Sequence, residues 1–460
     1  MHTVPDPFAG LRRQVRGDLL APGDAGYDLA RFGWNTRFDR RPAVIVRCRD
    51  AADVAIALAH ARSAGMDVAV RGGGHDYAGN STIEGGLLLD LSLMDAVHVD
   101  TDACVATVGA GATWAAVDRA TAAHGLATPG ATVSTVGVSG FTLGGGAGHL
   151  GRLHGLACDH LVAADLVTAG GEQVRVDAQS HPGLLWGLRG GGGNFGVVTS
   201  FDLRLHPQPA TVLAGQLVHR FEDAAAVLRQ YRDYMATAPD AVQCWAFLLK
   251  LPPLPAFPGE LHGQVVLDLV AFHAGTPDDA AHDLAPLRAI GTPVLDGVAP
   301  LPYVDLQQAF DAGMPSGQRW YSRAHYLRGL PDAAIEMLLA HADQLPGEFT
   351  TVYLGGEGGA LATDDGNSAF AHRDAAFSLH VFPGWTDARD DADIMRWTRE
   401  VHRAMAPYAT GGVYANMLAD DEADRIGAAY GARYARLREL KRRWDPGNVF
   451  RSNHNIDPGR

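Results

Sequence analysis

The sequence predicts an α+β fold in more than one unit, and three observations carry that prediction. At 460 residues the chain is too long for one ordinary hydrophobic core. Residues 1–208 alternate short apolar runs with alanine-rich helical segments. Residues 209–412 change to longer apolar runs broken by helical patterns, which suggests an antiparallel sheet backed by helices.

The elements follow in order. Ala43 to Arg47 reads as a strand, Ala51 to Ser63 as an alanine-rich helix and Met66 to Val70 as a second strand, together a βαβ-like unit. Gly86 to Leu91, Val97 to Val99 and Val105 to Val108 read as short strands, and Trp114 to His124 as a helix ended by Gly125. Beyond residue 209, strands are expected at Gly263 to Phe272 and Phe349 to Leu354, with helices at Glu222 to Ala236 and Pro331 to Ala342. In the final unit, 413–460, the stretch Asp420 to Trp444 has a helical pattern. No internal repeat is evident.

Glycine marks the candidate site. Arg71-Gly72-Gly73-Gly74-His75 follows the apolar run Val68-Ala69-Val70. Consecutive glycines can turn their N–H groups inward as an anion cradle and let backbone approach a ligand closely. A flavin dinucleotide fits that demand, and a histidine beside it can attack the 8-methyl carbon of the flavin to form a tether. Taken alone, the motif is equally an ordinary turn with a surface histidine. Two further blocks change the balance: Gly137-Val138-Ser139-Gly140-Phe141-Thr142-Leu143-Gly144-Gly145-Gly146-Ala147-Gly148, and Arg189-Gly190-Gly191-Gly192-Gly193-Asn194-Phe195-Gly196-Val197.

With these blocks the chain resembles the FAD-linked oxidases of the vanillyl-alcohol oxidase and berberine-bridge-enzyme superfamily, in particular its bacterial 6-hydroxy-D-nicotine-oxidase-like group. The resemblance runs from Pro22-Gly23-Asp24-Ala25-Gly26-Tyr27 through Arg41-Pro42-Ala43-Val44 to the tail Trp444-Asp445-Pro446-Gly447-Asn448-Val449-Phe450, and is weakest between about 210 and 345. It implies an FAD-binding domain of the PCMH/VAO type made of two α+β subdomains, a substrate domain, and a last segment returning to the first domain. It makes His75 the 8α-histidyl tether. It gives cofactor contacts to Arg71, Gly72, Gly73, Gly74, Asp76, Gly79, Asn80 and Ser81, to Thr135, Val136, Gly137, Gly140, Gly144, Gly148 and Val197, and to Asn453 and Asn455. Some members add a cysteinyl bond; Val133 holds that position here, and Cys158 comes too late in the chain to replace it, so a buried inert thiol is expected there. His454 stands where a glutamine is common.

The base is less defined. Oxidising a C–H beside oxygen or nitrogen needs a polar residue facing the ring. Tyr414 matches the family's active-site tyrosine, with Asn416 on the same face if the segment is a strand. His380 lies where relatives carry glutamine or glutamate, and is either the base or the neighbour that favours phenolate. Both are equally compatible with plain core packing. Trp245, Phe247, Tyr303, Phe310, Trp320, Tyr321 and Tyr353 are pocket or core aromatics.

Other chemistries find less support. Gly109-Ala110-Gly111-Ala112-Thr113-Trp114 lacks the third glycine of a nicotinamide fingerprint, and Gly137-Val138-Ser139-Gly140-Phe141 lacks the last glycine of a hydrolase elbow. His149, His154 and His160 lack the spacing of a metal helix, and Asp364-Asp365-Gly366-Asn367 lacks the rest of a calcium loop, so no metal is expected. A net charge of −14 disfavours nucleic acid and anionic membranes. Cysteines at 48, 104, 158 and 244 show no disulfide or zinc pattern, no leader is evident, and a soluble cytoplasmic protein is expected. The implied activity is oxidation of a small organic substrate with O2 as acceptor. A dehydrogenase using another acceptor and a flavin-containing drug-binding protein are the alternatives; oligomeric state stays open.

Overall fold

The computed structural model describes residues 6–255 and 257–459. Its first sheet joins β1 (Asp18–Leu20), β2 (Val44–Arg47), β3 (Val68–Arg71) and β4 (Leu87–Asp90) in the order β1-β2-β4-β3, parallel except where β1 pairs β2. Helix α1 (Ala51–Ala64) connects β2 to β3. It starts where Asp50 accepts the N–H groups of Ala52 and Asp53, and it stops at Gly65, whose φ of 64° is the left-handed cap.

The second sheet is antiparallel: β5 (Val97–Asp100), β6 (Val105–Gly109), β7 (Leu161–Val167), β8 (Gln173–Val176) and β9 (Val197–Arg204), ordered β5-β6-β9-β7-β8. The third contains β10 (Thr211–Arg220), β11 (Val242–Lys250), β12 (Val265–His273), β13 (Leu295–Asp296), β14 (Ala299–Pro302), β15 (Arg323–Leu327), β16 (Thr351–Gly356) and β17 (Phe377–Phe382). Its order is β13-β10-β12-β11-β16-β17-β15, with β14 also on β10, and all pairs are antiparallel.

Alternation divides the third sheet cleanly. Leu217, Leu248, Leu267, Leu269, Leu354 and Leu379 pack under helices α2 (Ala224–Met235), α3 (Asp332–Ala342) and α4 (Asp391–Met405) in one core. The residues between them, including Phe247, Asp268, Tyr353 and His380, face a cavity instead. A second large core underlies the first two sheets. It takes in Val413, Leu418, Tyr430, Leu437, Phe450 and Ile456, so the last segment packs back onto the beginning of the chain.

Two sequence expectations are corrected here. Asp420 to Trp444 is not one helix: α5 (Ile426–Tyr430) and α6 (Tyr434–Trp444) are separated at Gly431, whose φ of 47° breaks the helical path. Tyr414 and Asn416 do not share a strand. Gly411 at φ 94° ends extended structure, and Ala415–Met417 is a single 3-10 turn. The turn nevertheless brings Asn416 Nδ2 within 2.9 Å of Tyr414 Oη, which it donates to.

Candidate active site

β3 delivers the first glycine block to the mouth of a cavity of about 750 Å3, a size usual for ligand sites. Gly72, Gly73, Gly74, His75, Asp76, Asn80 and Ser81 line it, as do Val136, Gly137, Gly140, Gly144 and Gly148 from the second block. The two blocks touch through bare backbone: a Cβ on Gly73 would sit 2.3 Å from the nitrogen of Gly137, and the reverse distance is also 2.3 Å. Only glycine permits that approach. At Gly140 a Cβ would meet nothing within 4 Å, so the backbone there faces open space in the cavity. The loop is closed by Asp76, whose carboxylate accepts the N–H of Asn80 at 3.0 Å.

His75 is held on two sides. Its ring stacks on Trp34 at 4.7 Å and 18°, and Trp34 stacks in turn on Trp320 at 4.7 Å and 10°. Its Nε2 lies 3.0 Å from Thr135 Oγ1. Burial lowers its pKa to about 4, so the imidazole is neutral and its lone pair is available. Sequence reasoning missed Trp34, which carries no motif and meets its partners only in the folded chain. Asn35 fixes that loop by donating to Tyr77 O at 3.1 Å and to Trp320 O at 2.9 Å.

Four expected contacts lie outside the cavity wall. Arg71 points away from it, pairing with Asp90 at 2.8 Å and donating to the carbonyls of Phe32 and Ala30. Asp90 is its register partner at the end of β4, which is why the guanidinium turns that way. Gly79 has φ 72° and lies against the Phe38 ring, 2.4 Å from where its Cβ would be, so it shapes the loop. Thr135 meets the His75 ring instead. Asn455 lies behind the wall, with its Oδ1 buried and unpartnered among the described residues.

The third block contributes Gly192, Gly193, Asn194 and Val197 to the lining, and the tail contributes Asn453 and His454. Asn453 Nδ2 donates to Gly193 O at 3.1 Å while its Oδ1 is buried without a partner among the described residues. Close-approach glycines, an open cradle at Gly140 and the orphaned amide oxygen of Asn453 together fit a large flat ligand with an anionic linker. Val133 lines the cavity, and Cys158 is fully buried with its thiol pushed up by burial.

Beside the second glycine block, Tyr414 Oη accepts the N–H of Gly146 at 2.8 Å as well as the Asn416 amide. Burial pushes the phenol up, opposed by these two bonds. His380 stacks on Tyr353 at 4.5 Å and 3°, its Nδ1 buried without a partner among the described residues, and burial lowers it to about 3. The structure brings Tyr414 and His380 to one cavity but gives them no mutual hydrogen bond. Of the aromatics, Trp245, Phe247, Phe310 and Tyr353 line the cavity, whereas Tyr303, Trp320 and Tyr321 are core. Glu357, just past β16, also lines it and was not anticipated, because Gly355-Gly356-Glu357-Gly358-Gly359 reads as a turn.

These histidines set an acid limit. His75, His149, His154 and His160 are lowered to about 4 and His380 to about 3, so below the ordinary value of 6.5 the unfolded chain binds protons that the folded one refuses. Stability therefore falls as pH drops from 6.5 towards 4. Asp118 and Asp268, raised to about 7, act in the opposite sense but are fewer. Thermal unfolding at pH 7 and pH 5 is expected to show a lower Tm at pH 5; an equal or higher one would contradict the neutral buried imidazoles.

Comparison with known proteins agrees with this geometry. Residues 42–177 match the model of an FAD binding domain, and residues 413–457 match berberine and berberine-like proteins. An FAD-linked oxidoreductase of Dictyostelium discoideum is 32% identical over 92% of this chain and 91% of its own length. (R)-6-hydroxynicotine oxidase of Paenarthrobacter nicotinovorans is 31% identical over 96% of this chain and 97% of its own. The crystal structure of 6-hydroxy-D-nicotine oxidase from Arthrobacter nicotinovorans superposes with a TM-score of 0.88 at 28% identity, covering 97% of this chain and 98% of that one. Matched along nearly its whole length in sequence and fold, the chain belongs to the vanillyl-alcohol oxidase and berberine-bridge-enzyme superfamily and is an FAD-linked oxidoreductase.

Proposed function

We propose that the protein is an oxidase that holds FAD covalently through His75 and oxidises a C–H next to oxygen or nitrogen in a small organic substrate, with O2 reduced to H2O2. The observation that carries this reading is the neutral, doubly braced His75 at the mouth of the glycine cradle. With Nε2 engaged by Thr135, Nδ1 is the nitrogen left for the flavin. FAD bound here supplies the hydride acceptor.

The protein's own residues do the rest. Gly73, Gly137 and Gly140 offer backbone to the cofactor, and Asn453 offers its orphaned carbonyl. Tyr414 already accepts two hydrogen bonds, so its own proton is free to point into the cavity and to exchange with the substrate's O–H or N–H. The neutral His380 offers an acceptor nitrogen across from the glycine wall and, lowered to about 3, does not carry charge at neutral pH. The rings of Trp245, Phe247 and Phe310 give part of the cavity lining an apolar face for the substrate.

The reading is tested by screening alcohols, amines and sugars for peroxide release in air. Reduced enzyme that stays reduced in air would instead mark a dehydrogenase. With a turned-over substrate in hand, Tyr414→Phe is expected to slow anaerobic flavin bleaching by about a hundredfold or more, the scale of a general acid–base group. Rates within about twofold of wild type in both Tyr414→Phe and His380→Ala would remove both from proton transfer.

A further inference from the structure

We infer that Asp268 and Gln216 form a second anchor in the cavity, one that takes a hydroxyl group at the far end of an elongated, largely aromatic substrate. The inference deepens the proposed oxidase function and rests on that reading of the cavity as the substrate site.

The register of the third sheet sets the anchor at a distance. Asp268 of β12 pairs with Phe247 of β11, Phe247 with Tyr353 of β16, and Tyr353 with His380 of β17. All four line the cavity. Three strand-to-strand steps of ~4.8 Å therefore carry the row about 14 Å across the sheet, from His380 at one end to Asp268 at the other. Between the ends lies an aromatic floor. Tyr353 stacks on His380 at 4.5 Å, and the Phe247 ring stands 5.4 Å from Tyr353 and 5.4 Å from Phe310. Val270 and Leu249, two residues along the same face from Asp268 and Phe247, add aliphatic lining. The row so offers a flat, apolar track with a polar group at each end.

The Asp268 carboxyl is fully buried and only half satisfied. Gln216 Nε2 donates to its Oδ2 at 2.7 Å, and Gln216 lines the same cavity. The other oxygen, Oδ1, is buried without a partner among the described residues. A carboxyl placed there only to hold the sheet would have both oxygens engaged, because buried polar atoms are nearly always paired. Burial raises this carboxyl to about 7, opposed by the Gln216 amide and the backbone of Leu217. It therefore passes between neutral and ionised forms around neutral pH. A hydroxyl, which accepts as well as donates, satisfies either form, whereas a charged ligand group suits only one of them. The competing arrangement is a closed pair in which Asp268 and Gln216 serve only each other.

The probes are 4,4′-dihydroxystilbene and 4-hydroxystilbene, titrated into the flavin-loaded enzyme while the flavin difference spectrum is followed. Both are rigid and flat, and they differ in one terminal hydroxyl. The dihydroxy compound is expected to bind about tenfold more tightly or better, the effect of one additional buried hydrogen bond. Whichever way round the single hydroxyl of the other compound sits, one end of the cavity goes unserved. In Asp268→Leu, with flavin content matched to wild type, the preference should fall to about twofold while 4-hydroxystilbene still binds. Equal binding of the two by wild type overturns the inference without needing any variant to fold. So does a preference that survives unchanged in Asp268→Leu, and so does failure of wild type to bind either stilbene, since a track of this length and lining admits both. A purified protein that carries no flavin defeats the oxidase reading itself, which separates that failure from this one.

Discussion

His75→Ala is expected to give a protein from which all yellow fluorescence departs on SDS denaturation, whereas the wild-type band stays fluorescent on the gel. The expectation follows from how completely the ring is prepared. Trp34 fixes its plane, Thr135 engages Nε2, and burial keeps the imidazole neutral and therefore nucleophilic. Alanine removes the nucleophile while the glycine cradle remains, so flavin should still bind the folded variant, reversibly. Fluorescence retained on the denatured variant would place the tether elsewhere. Fluorescence absent from the wild type would leave FAD as a dissociable cofactor and would take the covalent part out of the proposed function.

Lys441→Met should destabilise the protein by about 3–5 kcal/mol, the usual cost of stranding one member of a buried ion pair. Lys441 and Asp445 are both fully buried, 2.8 Å apart one turn along α6. The ammonium also donates to Asn194 O at 2.9 Å, in the third glycine block, and to Phe450 O at 2.8 Å. Asp445 in turn accepts the N–H groups of Val449 and Phe450. One cation therefore ties the glycine loop to the tail that carries Asn453. Urea unfolding should show the loss, and proteolysis should reach the tail first. The double variant Lys441→Met with Asp445→Asn should recover part of the loss, because it removes the stranded charge and keeps an acceptor for the tail. A single variant as stable as wild type would contradict the buried pair.

What the sequence made legible was local. Apolar runs such as Val44-Ile45-Val46 become β2 because β-branched residues suit a strand buried on both faces, and the glycine blocks declare themselves because no other residue serves at Gly73 or Gly137. What stayed hidden depends on distant partners. Arg71 abuts the glycine motif and so looks like a ligand contact; only the pairing of β3 with β4 sets Asp90 beside it. Trp34 and Trp320 are ordinary aromatics until the chain folds. Glu357 is masked by the glycines on either side of it, which suggest a turn where the structure continues a strand edge. The helical pattern of Asp420 to Trp444 is realised only from α5 onward and is interrupted at Gly431 before α6.

The brace around His75 bears on how the enzyme matures. Asn35 links Tyr77, two residues past the tether, to Trp320, 285 positions from Asn35 along the chain, so the ring is aligned only after the early and late parts of the polypeptide have docked. In the proposed reading, a flavin bond made at His75 is a permanent mark left by one native encounter. The ratio of covalent flavin to polypeptide in a fresh preparation then counts the molecules that have folded correctly at least once, and it keeps that count even after they later unfold.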